Sequence, residues 1–229
     1  IYTSDMPITE NVLVATYADD TALLASDTCP NNASYLVQRE LNAIEAWLNK
    51  WNIKVNTAKS LHITFSLRRG NCGNVYMNNI QIPQSDSVKY LGMHIDRRLT
   101  WKTHIKAKKQ QLNIKTKRLF WLLGPKSQLS LENKVLIYKT ILKPVWTYGI
   151  QLWGTASNSN IEILQRYQSK TLRSIVNAPW FVSNKSIHDD LFIPKILEEI
   201  RRFSENYLGR LSYHINPLAI ALLESENKI

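Results

Sequence analysis

Two short apolar runs, Val12-Leu13-Val14-Ala15-Thr16 and Ala22-Leu23-Leu24-Ala25, flank the tetrad Tyr17-Ala18-Asp19-Asp20. Each run reads as a strand, and the tetrad leaves space only for a tight turn, so the segment is constrained to an antiparallel hairpin. Its tip then carries adjacent carboxylates. Like charges so close repel each other, and a divalent cation removes that cost. Mg²⁺ takes a few carboxylate oxygens together with substrate phosphates in an octahedral shell. Asp-Asp pairs also occur in ordinary solvated turns, so the flanking strands give this pair its weight. The hairpin points to metal-assisted phosphoryl chemistry.

The rest of the first half supplies a frame for it. Val37, Leu41, Ile44, Leu48 and Trp51 recur at helical spacing and predict a helix over 31–52, with Pro30 at its start and Trp47 and Trp51 packed on a sheet. Strands are predicted at Ile53–Val55, Leu61–Ser66, Val75–Tyr76, Ile80–Ile82 and Val88–Ile95, with a turn at Arg68–Gly73 and close backbone approach at Gly92. Beyond Leu99 the pattern becomes helical. Trp101, Ile105, Leu112, Leu119 and Leu123 form one stripe ended by Gly124-Pro125, and the nearby Phe120 and Trp121 read as core. Further helices are predicted over Leu131–Tyr148, Ile161–Val176 and Leu191–Leu211. The expected fold is α+β: an antiparallel sheet with a long helix over residues 1–98, then a mostly helical domain over 99–229.

Charge separates the possible partners. The chain carries 29 Lys and Arg against 18 Asp and Glu, a net +11, which favours a polyanion, nucleic acid before an acidic membrane surface. Arg97 to Leu131 holds ten basic residues and no acid. Lys102, Lys106, Lys109 and Lys117 share one flank of the apolar stripe and are expected to touch backbone phosphates rather than bases. Lys108 and Lys115 are on the other flank, their stems over apolar surface. No apolar stretch nears the roughly 20 residues of a membrane span, and the opening residues lack the pattern of a secretory signal. Cys29 and Cys72 build neither a disulfide framework nor a zinc site, and the five histidines show no ligand spacing. An intracellular protein, in nucleus or cytoplasm and not secreted, is expected.

A two-metal site needs a further carboxylate. Asp5, just ahead of Pro7, Asp27 in a probable loop and Asp96 at a strand end are the nearest candidates, and none is well placed. Lys59, in Asn56-Thr57-Ala58-Lys59-Ser60, has the type and position to neutralise a leaving pyrophosphate, or to be an ordinary turn lysine.

In order, these pieces resemble the reverse transcriptases of non-LTR retrotransposons, most of all the insect jockey type. The resemblance rests on Tyr17-Ala18-Asp19-Asp20, the helix, Asn56-x-x-Lys59-Ser60, Tyr90-Leu91-Gly92 and Leu99-Thr-Trp101-x-x-His104-Ile105. It continues through Pro144-Val-Trp-Thr-Tyr148-Gly149-Ile-Gln-Leu-Trp153-Gly154 and Leu172-Arg173 to Ala178-Pro179-Trp180. The resemblance implies a polymerase palm followed by a helical thumb. Asp19 and Asp20 would hold catalytic Mg²⁺, with Mn²⁺ a possible substitute, and Tyr17 and Ala18 would be close to the primer end and incoming nucleotide. Lys59 would serve the catalytic site, and Tyr90, Leu91 and Gly92 would form the primer-grip strand pair. Partners would be an RNA template, a DNA primer or RNA–DNA hybrid, and deoxynucleoside triphosphates. The opening resembles a point well inside such polymerases, so the fingers, the first catalytic aspartate and the amino-terminal endonuclease of the parent polyprotein are expected to be missing, leaving a fragment inactive alone. Two other readings compete: a non-catalytic nucleic-acid-binding protein derived from a retroelement, and a binder of membrane surfaces or acidic partners through charge alone.

Overall fold

Strand β1 (Val12–Tyr17) pairs antiparallel with β2 (Asp20–Ala25) from Val12 opposite Ala25 to Tyr17 opposite Asp20. The computed structural model describes residues 5–67, 72–216 and 220. Helix α1 (Pro30–Lys50) follows, with Pro30 in its first turn, where the missing N–H costs nothing. Leu41, Ile44, Trp47 and Leu48 of α1 form a core with Val75, Met77 and Ile82, joined by Leu23 of β2 and by Val37. Hairpin β3 (Tyr76–Met77) and β4 (Ile80–Gln81) turns through Asn78 and Asn79, both at positive φ, which Asn tolerates better than most residues. Gln38 of α1 secures that hairpin's edge. Its Oε1 accepts from the Tyr76 N–H at 2.7 Å and its Nε2 donates to the Tyr76 carbonyl at 2.9 Å.

Several expectations in this half are corrected. The strands form separate two-stranded hairpins rather than one sheet. Trp51 is exposed because α1 ends at Lys50 and Trp51 has left the helical face; only Trp47 is buried. Ile53–Val55 and Leu61–Ser66 are not strands. The latter has one isolated bridge, His62 to Gln84, and without a neighbouring strand its alternation builds no ladder. Of the turn at Arg68–Gly73, Arg68–Asn71 lie outside the described residues. Val88–Ile95 is not one strand but a hairpin, β5 (Ser87–Tyr90) and β6 (Met93–Asp96), with Leu91 (φ 45°) and Gly92 (φ 75°) at its tip.

The chain divides into two compact units. One holds residues 1–89 with 96–98, and the other holds 90–95 with 99–229. The second unit begins its helices with α2 (Lys102–Arg118) and the short α3 (Phe120–Leu123). Trp101, Ile105, Leu112 and Leu123 of the predicted stripe are buried. Phe120 and Trp121 are not core: α2 ends at Arg118 and Leu119 turns the chain, so the next residues leave the stripe and are 55 % and 74 % exposed.

The helix expected over Leu131–Tyr148 is α4 (Leu131–Ile137), a π-helical turn (Tyr138–Leu142) and α5 (Lys143–Thr147) without a break. Pro144 explains the π turn. Its ring would clash with the carbonyl four residues back, and widening the turn, with Lys143 N–H bonded to the Tyr138 carbonyl, lets the helix continue. Then come α6 (Ile150–Trp153), α7 (Asn158–Ile175), α8 (Asn184–Asp190) and α9 (Ile196–Leu211). Helix α8 was not anticipated, and α9 starts later than expected because Pro194 disfavours helix in the residue before it. The core joins Trp101, Tyr138, Trp146, Trp153, Leu164 and Leu172. Glu199 of α9, 1 % exposed, holds Lys143 at 2.5 Å and Arg202 at 2.5 Å. No helix among the described residues is long and apolar enough to cross a membrane.

Candidate functional site

Pairing of Tyr17 with Asp20 leaves a two-residue loop, Ala18-Asp19, with Ala18 at φ 52°. Asp19 therefore occupies the tip itself, while Asp20 opens β2 and is fixed by the ladder. Tyr17, Ala18, Asp19 and Asp20 are all exposed. Neither carboxylate forms an ion pair among the described residues. Two adjacent acceptor-only groups, open to solvent and unclaimed by a cation, suit a hard divalent ion as part of its ligand set. They do not complete it. No group of three or more His, Cys, Asp or Glu capable of holding a metal forms among the described residues.

The three spare carboxylates have other settings. Asp27 accepts from the Cys29 N–H at 2.7 Å and from Asn32, and these bonds hold its carboxyl below the usual range. It thus organises the start of α1. Asp5 is exposed in a turn, and Asp96 ends β6. Lys59 is exposed at the end of a 3₁₀ turn, Thr57–Lys59, and no hydrogen bond or ion pair joins it to Asp19 or Asp20.

In the second unit, the turn Tyr90-Leu91-Gly92 is held from below. The Tyr148 hydroxyl donates to the Leu91 carbonyl at 2.7 Å. A Cβ on Gly92 would sit 3.4 Å from the Tyr148 ring, and Lys108 Nζ lies 5.1 Å from that ring's centre. Gly149, at φ 66°, lets Met93 pack against it: a Cβ there would be 2.5 Å from Met93 Sδ. His104 is fully buried between Trp101 and Trp153, and its Nδ1 accepts from the His94 N–H at 3.2 Å. Burial first, then the charge of Lys108, pushes its pKa down to about 4. Tyr148, Gly149 and His104 thus set where the 90–95 hairpin sits. Nothing in the sequence signals that role, although all three lie in stretches that carry the family resemblance. On α2, Lys102, Lys106, Lys109 and Lys117 are exposed.

Residues 2–95 match the family of reverse transcriptases, RNA-dependent DNA polymerases. The chain is a homologue of reverse transcriptases of the jockey and X-element kind. It is 38 % identical over 98 % of its length to a probable RNA-directed DNA polymerase from transposon X-element of Drosophila melanogaster. It is 38 % identical over 96 % of its length to the RNA-directed DNA polymerase from mobile element jockey of the same species. A probable RNA-directed DNA polymerase from transposon BS of that fly is 34 % identical over 97 % of the chain. The chain spans about a quarter of the length of these curated relatives. No solved structure matches. The reverse transcriptase match includes the acidic hairpin and runs to Ile95 in β6, while the similarity to the fly polymerases extends through the helical unit.

Proposed function

We propose that this chain is part of the palm, to residue 98, and the helical thumb with a carboxyl-terminal extension, over residues 99–229, of an RNA-directed DNA polymerase of a mobile element. The observation that carries the reading is the solvent-open Asp19-Asp20 pair on the β1–β2 tip, inside a stretch that matches reverse transcriptases. Asp19 and Asp20 would hold Mg²⁺, or Mn²⁺, with a further ligand from outside the described residues. When bound, the metal supplies charge that offsets the developing charge on attacking and leaving oxygens.

The chain's own residues do the rest. A primer 3′-oxygen forms its bond to the nucleotide α-phosphorus as the bond to pyrophosphate breaks. Tyr17 and Ala18 border the primer end, and Lys59 neutralises or protonates the departing pyrophosphate. Tyr90, Leu91 and Gly92 grip the primer strand, their turn steadied by Tyr148. Lys102, Lys106, Lys109 and Lys117 hold the backbone of a template–primer duplex, which makes binding salt-sensitive. The protein acts inside the cell, in nucleus or cytoplasm.

The absence of a third metal ligand among the described residues favours a second reading, a non-catalytic nucleic-acid-binding protein derived from a retroelement. Primer extension on an RNA template separates the two. The 229-residue chain alone should extend nothing with Mg²⁺ or Mn²⁺, and a polymerase completed with the remaining domains of a jockey-type relative should extend. Asp19→Asn should abolish that extension and leave salt-sensitive hybrid binding within about twofold. Undiminished synthesis by the Asp19→Asn enzyme would sink the polymerase reading.

A further inference from the structure

Arg166, Lys170 and Arg173 fall at helical spacing on one face of α7. With Lys185 of α8 and Lys195, just ahead of α9, they line a groove of about 660 Å³ whose single carboxylate is Glu162. None of the five cations forms an ion pair among the described residues. Concentrating five positive charges in one concavity costs electrostatic energy that a polyanion would relieve. The groove is separate from the α2 face, because α7 meets α2 on another flank, where the Tyr167 hydroxyl bonds Thr116.

A second observation adjoins it. Arg173 lines the groove and also fastens the loop that follows α7. It donates to the Pro179 carbonyl at 2.7 Å, the Val182 carbonyl at 2.6 Å and Asn184 Oδ1 at 2.9 Å. Between those carbonyls the loop presents Trp180, 90 % exposed, and Phe181, 71 % exposed, edge to face at 6.0 Å. A tethered loop that keeps two large aromatic faces in water is set up for a flat ligand. Bases of a single strand offer such faces, whereas those of a duplex are stacked inside it. A membrane surface would be met by a convex amphipathic face, and here the charges line a hollow.

We infer that the α7–α8 groove and the Trp180-Phe181 loop form a binding site for single-stranded nucleic acid. Phosphates follow Arg166, Lys170 and Lys185, and a base stacks on Trp180. The site does not depend on the acidic hairpin's being catalytic.

Fluorescence anisotropy of a labelled dodecauridylate with the full 229-residue chain tests the site. Arg166→Gln/Lys170→Gln/Lys185→Gln should weaken binding at least about tenfold at roughly 50 mM salt and lower the log–log salt slope by about 2. Trp180→Ala should weaken it about five- to hundredfold, with Trp180→Phe restoring most of the affinity. All these side chains except Arg173, which stays, are exposed, and circular dichroism melting verifies the fold of each variant. A matched set, Lys106→Gln/Lys109→Gln/Lys117→Gln, serves as the comparison. Loss of oligouridylate binding only in that set overturns the site. So does equal loss for a twelve-base-pair duplex in the Trp180 series, or binding confined to phosphatidylserine vesicles.

Discussion

Replacing Gly149 by alanine should damage the helical unit through two additive effects. At φ 66° an L side chain strains the backbone, about 1–2 kcal/mol. The new Cβ would also lie 2.5 Å from Met93 Sδ and 2.7 Å from its Cε. Met93 is only 5 % exposed, so its thioether must repack within a filled core, and overpacking of that kind costs about 1–3 kcal/mol. The expected loss is about 2–5 kcal/mol, read from urea unfolding followed by tryptophan fluorescence, since Trp101, Trp146 and Trp153 share this core. The two sources separate in a double-mutant cycle. Met93→Ala alone should cost about 2–5 kcal/mol as a large-to-small change. The double variant should then fall short of the sum by about 1 kcal/mol or more, because the overlap is gone while the backbone strain stays. A Gly149→Ala loss below about 0.5 kcal/mol, or strict additivity with Met93→Ala, would refute the packing argument.

His104 should make stability pH-dependent: its native pKa of about 4 lies below the ordinary 6.5, so between these values the unfolded chain binds the proton and the native one does not. Stability therefore falls as pH drops from about 6.5 towards 4, by an amount on the order of 3 kcal/mol, and His104→Gln should flatten that part of a pH series of urea midpoints. Glu199→Ala should cost about 3 kcal/mol in the same unfolding assay, because it strands the half-buried Lys143 without its carboxylate. Ala18→Gly should stabilise the first unit by about 0.5–1 kcal/mol, since glycine meets φ 52° without steric cost, and a loss of stability would contradict the hairpin geometry.

Periodicity carried the reading where one face of an element meets a core. The inward face of α1 and the stripe of α2 were legible because Leu41, Ile44, Ile105 and Leu112 answer to burial alone, and the β1–β2 hairpin because two apolar runs flank a four-residue turn. It failed where a single residue redirects the chain. Leu91 at φ 45° turns what reads as one strand into a hairpin, and nothing about leucine announces that. Helix α2 ends at Arg118, and Leu119 turns the chain just before two aromatics that continue its apolar pattern, so the pattern alone reads Phe120 and Trp121 as core. The acidic tip was visible as a motif, but its lack of a third ligand among the described residues depends on where Asp5, Asp27 and Asp96 fall. The support beneath Tyr90-Leu91-Gly92 was hidden for a related reason: Tyr148 lies far away in sequence, and only the folded chain joins them.

The helical unit borrows six residues, 90–95, from ahead of the point where the helices begin. An exchange of segments between relatives made at residue 99 would carry Gly149 without the Met93 side chain that packs against it, and would set another chain's 90–95 turn on Tyr148 and His104. Chimeras cut before Tyr90 should keep a filled core and fold, whereas those cut at 99 inherit mismatched partners. Substitutions at Met93 and Gly149 should accordingly be accepted in pairs, giving two short stretches far apart in the chain a shared evolutionary fate.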